Sequence, residues 1–321
     1  MMGSPQVSGS HYAGGKQIDV DFSQVAIVTV SYNPDPEILD RQLSQLPPDA
    51  LKVLVDNASR SAIRDDVRRI AEKRGALFLQ NDTNIGLPAA LNQGATRAQQ
   101  IRPECRFLLL LDQDTEPGAD GIERLVASYD RIIALARKPC CIGPRLVDVG
   151  TGLDYGFHQI CGWRWSRNYP PADSHEPVPI ANLNGSGTLM PFEVFNKLGG
   201  LEEDFFIDHV DTEWAFRVLA SGYGLYGVPD ACFHHRMGEQ SLRFWFLRWR
   251  VWPDRSPQRH YYLFRNAVRL MRRGYVPRVW KIWALAKLVF TLLIYISFNK
   301  NRGAQVRNMI TGVRDGWLSD S

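Results

Sequence analysis

Apolar residues in the first part of the chain come in short unbroken runs, each followed by an amphipathic stretch. Residues 25–30 (VAIVTV), 51–55 (LKVLV), 76–80 (ALFLQ) and 107–111 (FLLLL) read as strands. Runs without polar alternation are expected for strands buried on both faces of a parallel sheet. The intervening residues 37–46, 62–74 and 87–100 carry helical spacing, and Pro47-Pro48 and Gly75 end the first two. Strands alternating with helices predict βαβ units. Two of the runs stop at a carboxylate, Val55 before Asp56 and Leu111 before Asp112. In such sheets ligands bind beyond the carboxyl ends of the strands, so the pattern alone puts both aspartates at one rim.

Further along, residues 118–137 read as a helix, 141–147 as a strand, and 148–179, rich in Gly, Pro, Trp and His, as irregular or hairpin-like. A small-residue loop at 184–187 (NGSG) leads into 188–190, with a short helix over 192–198. Residues 212–221 form a helix ended by Gly222, and 225–228 a strand, followed by a loop carrying His234 and His235. Residues 1–24 are polar and Gly/Ser-rich, with no apolar core of a secretory signal, and read as a disordered leader. The expected organisation is that leader, a catalytic unit over 25–240, and a helical, basic and aromatic segment over 241–321 that associates with a membrane.

Composition narrows the class. With 45% hydrophobic and 22% charged residues among 321, the chain is globular, and an excess of 38 Lys+Arg over 34 Asp+Glu gives no argument for nucleic acid. Five cysteines without a C-x-x-C pair read as reduced thiols of a cytosolic protein. The basic excess lies between 236 and 314, interleaved with aromatics. Trp245, Trp249 and Trp252 with Arg243, Arg248 and Arg250 form a stripe suited to a phospholipid surface or a lipid-linked diphosphate. Residues 282–298 are apolar apart from Lys287 and Thr291, slightly short of the ~20 residues of a spanning helix. Three readings are open: a helix lying on an anionic surface, a buried C-terminal helix, and a true span. The first predicts a cytoplasmic protein peripheral to the inner membrane face.

The candidate chemistry begins with Asp112-Gln113-Asp114. Two carboxylates at i, i+2 on a strand end can share one hard cation, Mg²⁺ or Mn²⁺, that also takes oxygens from a diphosphate. The competing reading is capping of the helix after Pro117 by Asp114 or Thr115. Asp208, Asp211 and Glu213 cluster just before a helix, where a general base or simple capping would both fit. Either of His234 and His235 could complete a cation's shell. Asp56 could accept a pyrimidine imide N–H or close an Asx-turn.

In order, these pieces resemble the inverting GT-A glycosyltransferases: 25–33 (VAIVTVSYN), 53–59 (VLVDNAS), 84–94 (NIGLPAALNQG), 108–114 (LLLLDQD), 199–217 (GGLEEDFFIDHVDTEWAFR) and 228–235 (VPDACFHH). The forms LLLDQD, Ile142-Gly-Pro-Arg145 and residues 206–213 are similar to bacterial rhamnosyltransferases of the O-antigen, exopolysaccharide and rhamnolipid type. The resemblance implies an α/β GT-A fold, Rossmann-like, with a mostly parallel sheet flanked by helices and a C-terminal helical extension. It implies that Asp56 recognises the base with Tyr32 stacked near it, that Asn84 and Gly86 lie by the nucleotide, and that Asp112 faces the ribose. Asp114 and His235 would hold the metal and Asp211 would be the base. Val210 stands where many relatives have an acidic residue, which leaves Asp208 and Glu213 as rival bases. The implied reaction is single displacement, with inversion, of L-rhamnose from dTDP-β-L-rhamnose to a hydroxyl of a glycan, lipid-linked or glycolipid acceptor. His260-Tyr-Tyr-Leu-Phe-Arg-Asn266 also resembles that branch, as an aromatic helix start under the active-site rim or as core packing.

Two other readings stay open at this point: a UDP-sugar transferase of the same fold, and a non-catalytic sugar-nucleotide or membrane-binding protein. A nucleotidyltransferase would carry a Gly-rich, basic phosphate loop after the first strand, and residues 31–36 are not one.

Overall fold

The computed structural model describes residues 20–136, 138–235, 241–246, 248–253 and 255–318, with the backbone alone described over 241–253. The expected leader lies almost wholly outside the described residues, and so do the side chains of the Trp/Arg stripe.

The elements run β1 (Val25–Ser31), α1 (Pro36–Ser44), β2 (Leu51–Asp56), α2 (Ser61–Lys73), β3 (Leu77–Gln80), α3 (Leu87–Ile101), β4 (Phe107–Asp112), β5 (Thr115–Pro117), α4 (Gly121–Ala136) and β6 (Cys140–Asp148). They continue with β7 (Phe157–Cys161), β8 (Arg164–Asn168), β9 (Val178–Pro179), β10 (Thr188–Pro191), α5 (Phe192–Lys197), α6 (Val210–Ala220) and β11 (Gly224–His235). The chain ends in β12 (Ser241–Phe246), β13 (Arg248–Pro253), α7 (Pro257–Arg272), α8 (Arg278–Phe298) and α9 (Arg302–Leu318). Before its three helices the C-terminal segment, expected to be helical, therefore forms an antiparallel hairpin, β12–β13.

The main sheet has the order β3-β2-β1-β4-β10-β6-β11-β5, with β9 also paired to β11. The β3-β2-β1-β4 half is parallel, as the βαβ pattern requires, and β6 and β11 are parallel to each other. Between the halves, β10 runs antiparallel to both β4 and β6. The architecture is the mixed α/β GT-A type.

The unbroken apolar runs are explained by burial on both faces. Alternate residues of β1 enter opposite layers: Ala26, Val28 and Val30 one, Val25 and Ile27 the other. The first layer is covered by α3, α5 and α6 together with Leu270, Val276, Trp280 and Ala284 of the C-terminal segment. The second is covered by α1, α2 and α4.

Two regions depart from the sequence reading. The histidine pair was expected in a loop, but β11 continues through His235. The strand is broken by an irregularity between Val228 and Cys232, which is where apolar periodicity ended. Thr115–Pro117 is a strand paired to the end of β11 rather than the lead-in to a capped helix. The stretch read as irregular or hairpin-like does hold a hairpin, β7–β8.

Helix α9 packs along α7 through glycines. A Cβ on Gly312 would stand 2.4 Å from the carbonyl oxygen of Tyr261, and one on Gly316 would stand 2.5 Å from that of Arg265. Because backbone atoms cannot rotate away, Gly312→Ala should separate the two helices at a cost of about 1–3 kcal/mol. A lower urea midpoint with unchanged slope would be the observation.

Candidate active site

A cavity of about 520 Å³ opens at the carboxyl ends of β1 and β4, as the position of the aspartates predicted. Its wall includes Tyr32, Asn84, Asp112, Asp114, Asp211 and His235. Asp56 and Gly86 are not on that wall.

Asp112, Asp114 and His235 each bring a ligand atom to within 4.8 Å of the others. Burial raises the Asp112 carboxyl to about 6; His235 opposes the rise, and the charges of Asp114 and Asp211 add to it. Two carboxylates and an imidazole facing an open cavity are a donor set that fits a divalent cation. The imidazole is oriented by a buried relay. His235 Nδ1 lies 2.9 Å from Thr115 Oγ1, Ser186 Oγ donates to that hydroxyl at 2.5 Å, and the Asp112 N–H donates to Ser186 Oγ at 3.0 Å. Outer-shell partners of this kind fix ring orientation.

The turn bearing the two aspartates is held from beneath. Gln42 of α1 is fully buried, and its Nε2 donates to the carbonyls of Asp112 at 2.5 Å and Thr115 at 2.6 Å. Gln113, between the aspartates, accepts the Tyr32 N–H at 2.7 Å and so joins the ends of β1 and β4. Tyr32 is left half exposed over the cavity. Gln42 did not stand out in the sequence. It is one polar residue on an amphipathic helix, and only the fold brings it under the turn.

Asp56 is completely buried and turned inward. Its carboxylate accepts from the Ser59 hydroxyl at 2.5 Å, the Ser59 N–H at 3.1 Å and the Ser31 hydroxyl at 3.3 Å, which is the Asx-turn alternative. Asn57 latches the next loop, donating to Asn84 Oδ1 at 3.0 Å and accepting from the Ile85 N–H at 3.1 Å. Gly86 has φ +89°, and a Cβ there would lie 2.8 Å from the Phe206 ring. Its place is explained by close packing on the loop that carries the acidic cluster.

The three acidic candidates at 208–213 have different surroundings. Glu213 is fully buried and held by Arg217, by Arg273 at 2.9 Å and by Tyr275 at 2.7 Å. Asp208 is ion-paired with Arg255 and, at 3.2 Å, with Arg259. Burial works against its charge, but the two arginines outweigh that and keep its pKa below the ordinary carboxylate value. Asp211 forms no salt bridge among the described residues. Burial raises its pKa, opposed by backbone N–H groups of Thr212 and Gly185. A carboxylate that faces a cavity, is free of a salt bridge and is shifted toward neutrality has the character of a general base.

The loop before Asp211 is strained. Phe206, Asp208 and His209 adopt φ of +60°, +62° and +64°. It is held by Asn266 of α7, fully buried, whose Nδ2 lies 2.8 Å from the carbonyls of Phe205 and Ile207 and 2.9 Å from that of Asp208. Tyr262 stacks on Phe206 with ring centres 4.7 Å apart. The aromatic helix start read from 260–266 therefore does lie under the rim.

A donor set that fits a divalent cation and a carboxylate without a salt bridge thus line one cleft at the sheet rim. The chain belongs to glycosyl transferase family 2, whose model matches residues 27–199, and it is a glycosyltransferase. It is 27% identical over 303 residues to dTDP-rhamnosyl transferase RfbF of Shigella flexneri, covering 92% of this chain and 95% of that one. It is 24% identical over 238 residues to N-acetylglucosaminyl-diphospho-decaprenol L-rhamnosyltransferase of Mycobacterium tuberculosis, covering 65% of this chain and 75% of the relative. Among solved structures, GalNAc-T7 with UDP, GalNAc and Mn²⁺ superposes with a TM-score of 0.57 at 16% identity, over 91% of this chain and 56% of that chain. S. aureus TarS 1-349 superposes with a TM-score of 0.54 at 15% identity, over 91% of this chain and 79% of that chain. At such identities the two structures support the fold alone.

Two substitutions test the scaffold. Gln42→Leu strands the carbonyls of Asp112 and Thr115 and should cost about 1–3 kcal/mol, with weaker Mn²⁺ binding by electron spin resonance. Asn266→Leu should relax the strained loop, lowering turnover while leaving nucleotide affinity within a few-fold in a titration.

Proposed function

We propose that this protein transfers L-rhamnose from dTDP-β-L-rhamnose to a hydroxyl of a glycan or glycolipid acceptor, with inversion. The observation that carries the mechanism is the isolation of Asp211 beside two acidic neighbours already bound by arginines. The named activity of the Shigella flexneri relative, matched over nearly the full length of both chains, supports the sugar and the nucleotide.

In this reading the donor nucleotide lies along the rim near Tyr32 and Asn84, with its diphosphate by Asp112, Asp114 and His235. A Mg²⁺ or Mn²⁺ ion bound by Asp114 and His235, with Asp112 toward the ribose, would neutralise the charge that develops on the leaving diphosphate. Asp211 accepts the acceptor hydroxyl's proton on a carboxylate oxygen as that hydroxyl attacks the anomeric carbon. The bond to the dTDP oxygen breaks in the same step, so no covalent intermediate forms. Asp56 acts on the nucleotide through the turn it closes, unless Ser59 releases it. A UDP-sugar donor is the alternative.

The outer face of α8 supports a peripheral place on the cytoplasmic surface of a membrane. Ile282, Leu285, Val289, Leu293 and Ile296 are exposed along one side, while Trp280, Ala284 and Thr291 are buried on the other. α8 is long and apolar enough to cross a membrane by length and composition. With one face packed into the core, lying on the surface is the arrangement we adopt.

Calorimetric titration with dTDP and UDP, with and without Mg²⁺, tests the donor: metal-dependent binding of dTDP over UDP is expected, and preference for UDP would discard rhamnose. Asp114→Ala should remove the Mg²⁺ increment. Asp211→Asn should keep dTDP binding and lower transfer by roughly 10²–10⁴-fold, and near-normal turnover would sink the base assignment.

A further inference from the structure

The histidine that opens the aromatic stretch 260–266 is fully buried and takes no part in the cavity wall. Its Nδ1 lies 2.7 Å from Oε1 of Gln305, a buried residue of α9. The Gln305 amide nitrogen donates to the carbonyl of Arg255 at 2.9 Å. That leaves Oε1 as the acceptor, so His260 Nδ1 carries the hydrogen between the two side chains. From the other side, the Arg255 N–H donates to the hydroxyl of Tyr295 of α8 at 3.0 Å. The Tyr295 ring is wholly buried and meets the His260 ring edge to face, with centres 4.3 Å apart. Both main-chain polar groups of Arg255 are thus held by side chains from two different helices. Arg255 stands just outside α7, whose N-cap is Ser256, so no helical ladder supplies these bonds.

The side chain of Arg255 gives this attachment its consequence. Its guanidinium is ion-paired with Asp208, which lines the cavity although its side chain is only 8% exposed. Asp208 sits on the strained loop, at φ +62°, three residues before Asp211. An arginine has several rotatable bonds, so it fixes a partner only as firmly as its own backbone is fixed. The pair also acts electrostatically. Burial raises the pKa of Asp211, and the charge of Asp208 adds to the rise. Arg255 offsets that charge together with Arg259 of α7, while Asp112 of β4 and Lys287 of α8 also lie within electrostatic reach of Asp211.

We propose that Tyr295 and Gln305 are positioning residues for the base: by holding the main-chain groups of Arg255 they fix its pair with Asp208, and with it the loop that aims Asp211. The inference rests on the reading of Asp211 as the base of a glycosyl transfer. It goes beyond that reading by giving α8 and α9, which contribute no side chain to the cavity wall, a part in the reaction.

The test uses the full chain with Mg²⁺ and dTDP-β-L-rhamnose, with water in place of the acceptor. Water attacks the anomeric carbon, its proton passes to Asp211, the bond to the dTDP oxygen breaks, and rhamnose and dTDP are released. Tyr295→Phe keeps the ring against His260 and removes only the hydroxyl. Gln305→Met keeps the length and removes both amide bonds. Each should lower kcat for this hydrolysis by about tenfold and leave KM within about twofold. The acid limb of kcat/KM should also move to higher pH, because a less well neutralised Asp208 makes Asp211 harder to ionise. A merely structural role would scale the rate equally at every pH, and that result overturns the proposal, as does an unchanged kcat in both variants. The carboxyl carbon-13 resonance of Asp211, assigned by its loss in Asp211→Asn, gives a readout without turnover. Its titration midpoint should rise in Tyr295→Phe, and an unmoved midpoint overturns the proposal even where hydrolysis is too slow to follow. If the wild type binds neither dTDP nor UDP, the glycosyl-transfer reading fails separately, and the resonance still decides whether Tyr295 and Gln305 act on Asp211.

Discussion

The candidate site depends on one buried amide. The loop before Asp211 holds three non-glycine residues in the left-handed region, each costing about 1–3 kcal/mol in isolation. Asn266 holds it by reaching three successive parts of its backbone. Opposite, the Leu87 N–H donates to the Phe206 carbonyl at 2.7 Å, possible only because Gly86 lacks a Cβ. The base candidate is thereby aimed by contacts from both sides: α3, within the residues matched by the family model, and α7, beyond them.

The acidic turn follows the same logic. Its carboxylates occupy a strand end, but the turn is defined by neutral groups: Gln42 beneath, Gln113 across to β1, and Ser186 and Thr115 out to His235. Neutral partners hold geometry without spending the charges that a cation would need. At 208–213 charged partners do the opposite, fixing Asp208 and Glu213 in ion pairs and leaving Asp211 unpaired.

Much of this was legible in the sequence. The apolar runs of β1, β2 and β4 fixed a two-sided sheet, and their abrupt ends at Asp56 and Asp112 marked the rim. What the sequence could not resolve depended on long-range contacts. Whether Asp56 faces a ligand or Ser59 is a choice between two side-chain directions of one residue. The histidines appeared to lie in a loop because the break between Val228 and Cys232 interrupts the period that would have extended β11. Asp208 and Glu213 could not be separated from Asp211 because Arg255 and Arg273 lie more than forty residues further on.

The placement of β10 bears on how the chain assembles. This strand joins β4 to β6, yet it is synthesised after both. Until residues 188–191 emerge from the ribosome, β4 has a bare edge of unpaired backbone groups along a strand that is apolar from Phe107 to Leu111, with only its β1 side satisfied. The nascent protein therefore passes through a period in which this aggregation-prone edge is open, and the arrival of four residues closes it.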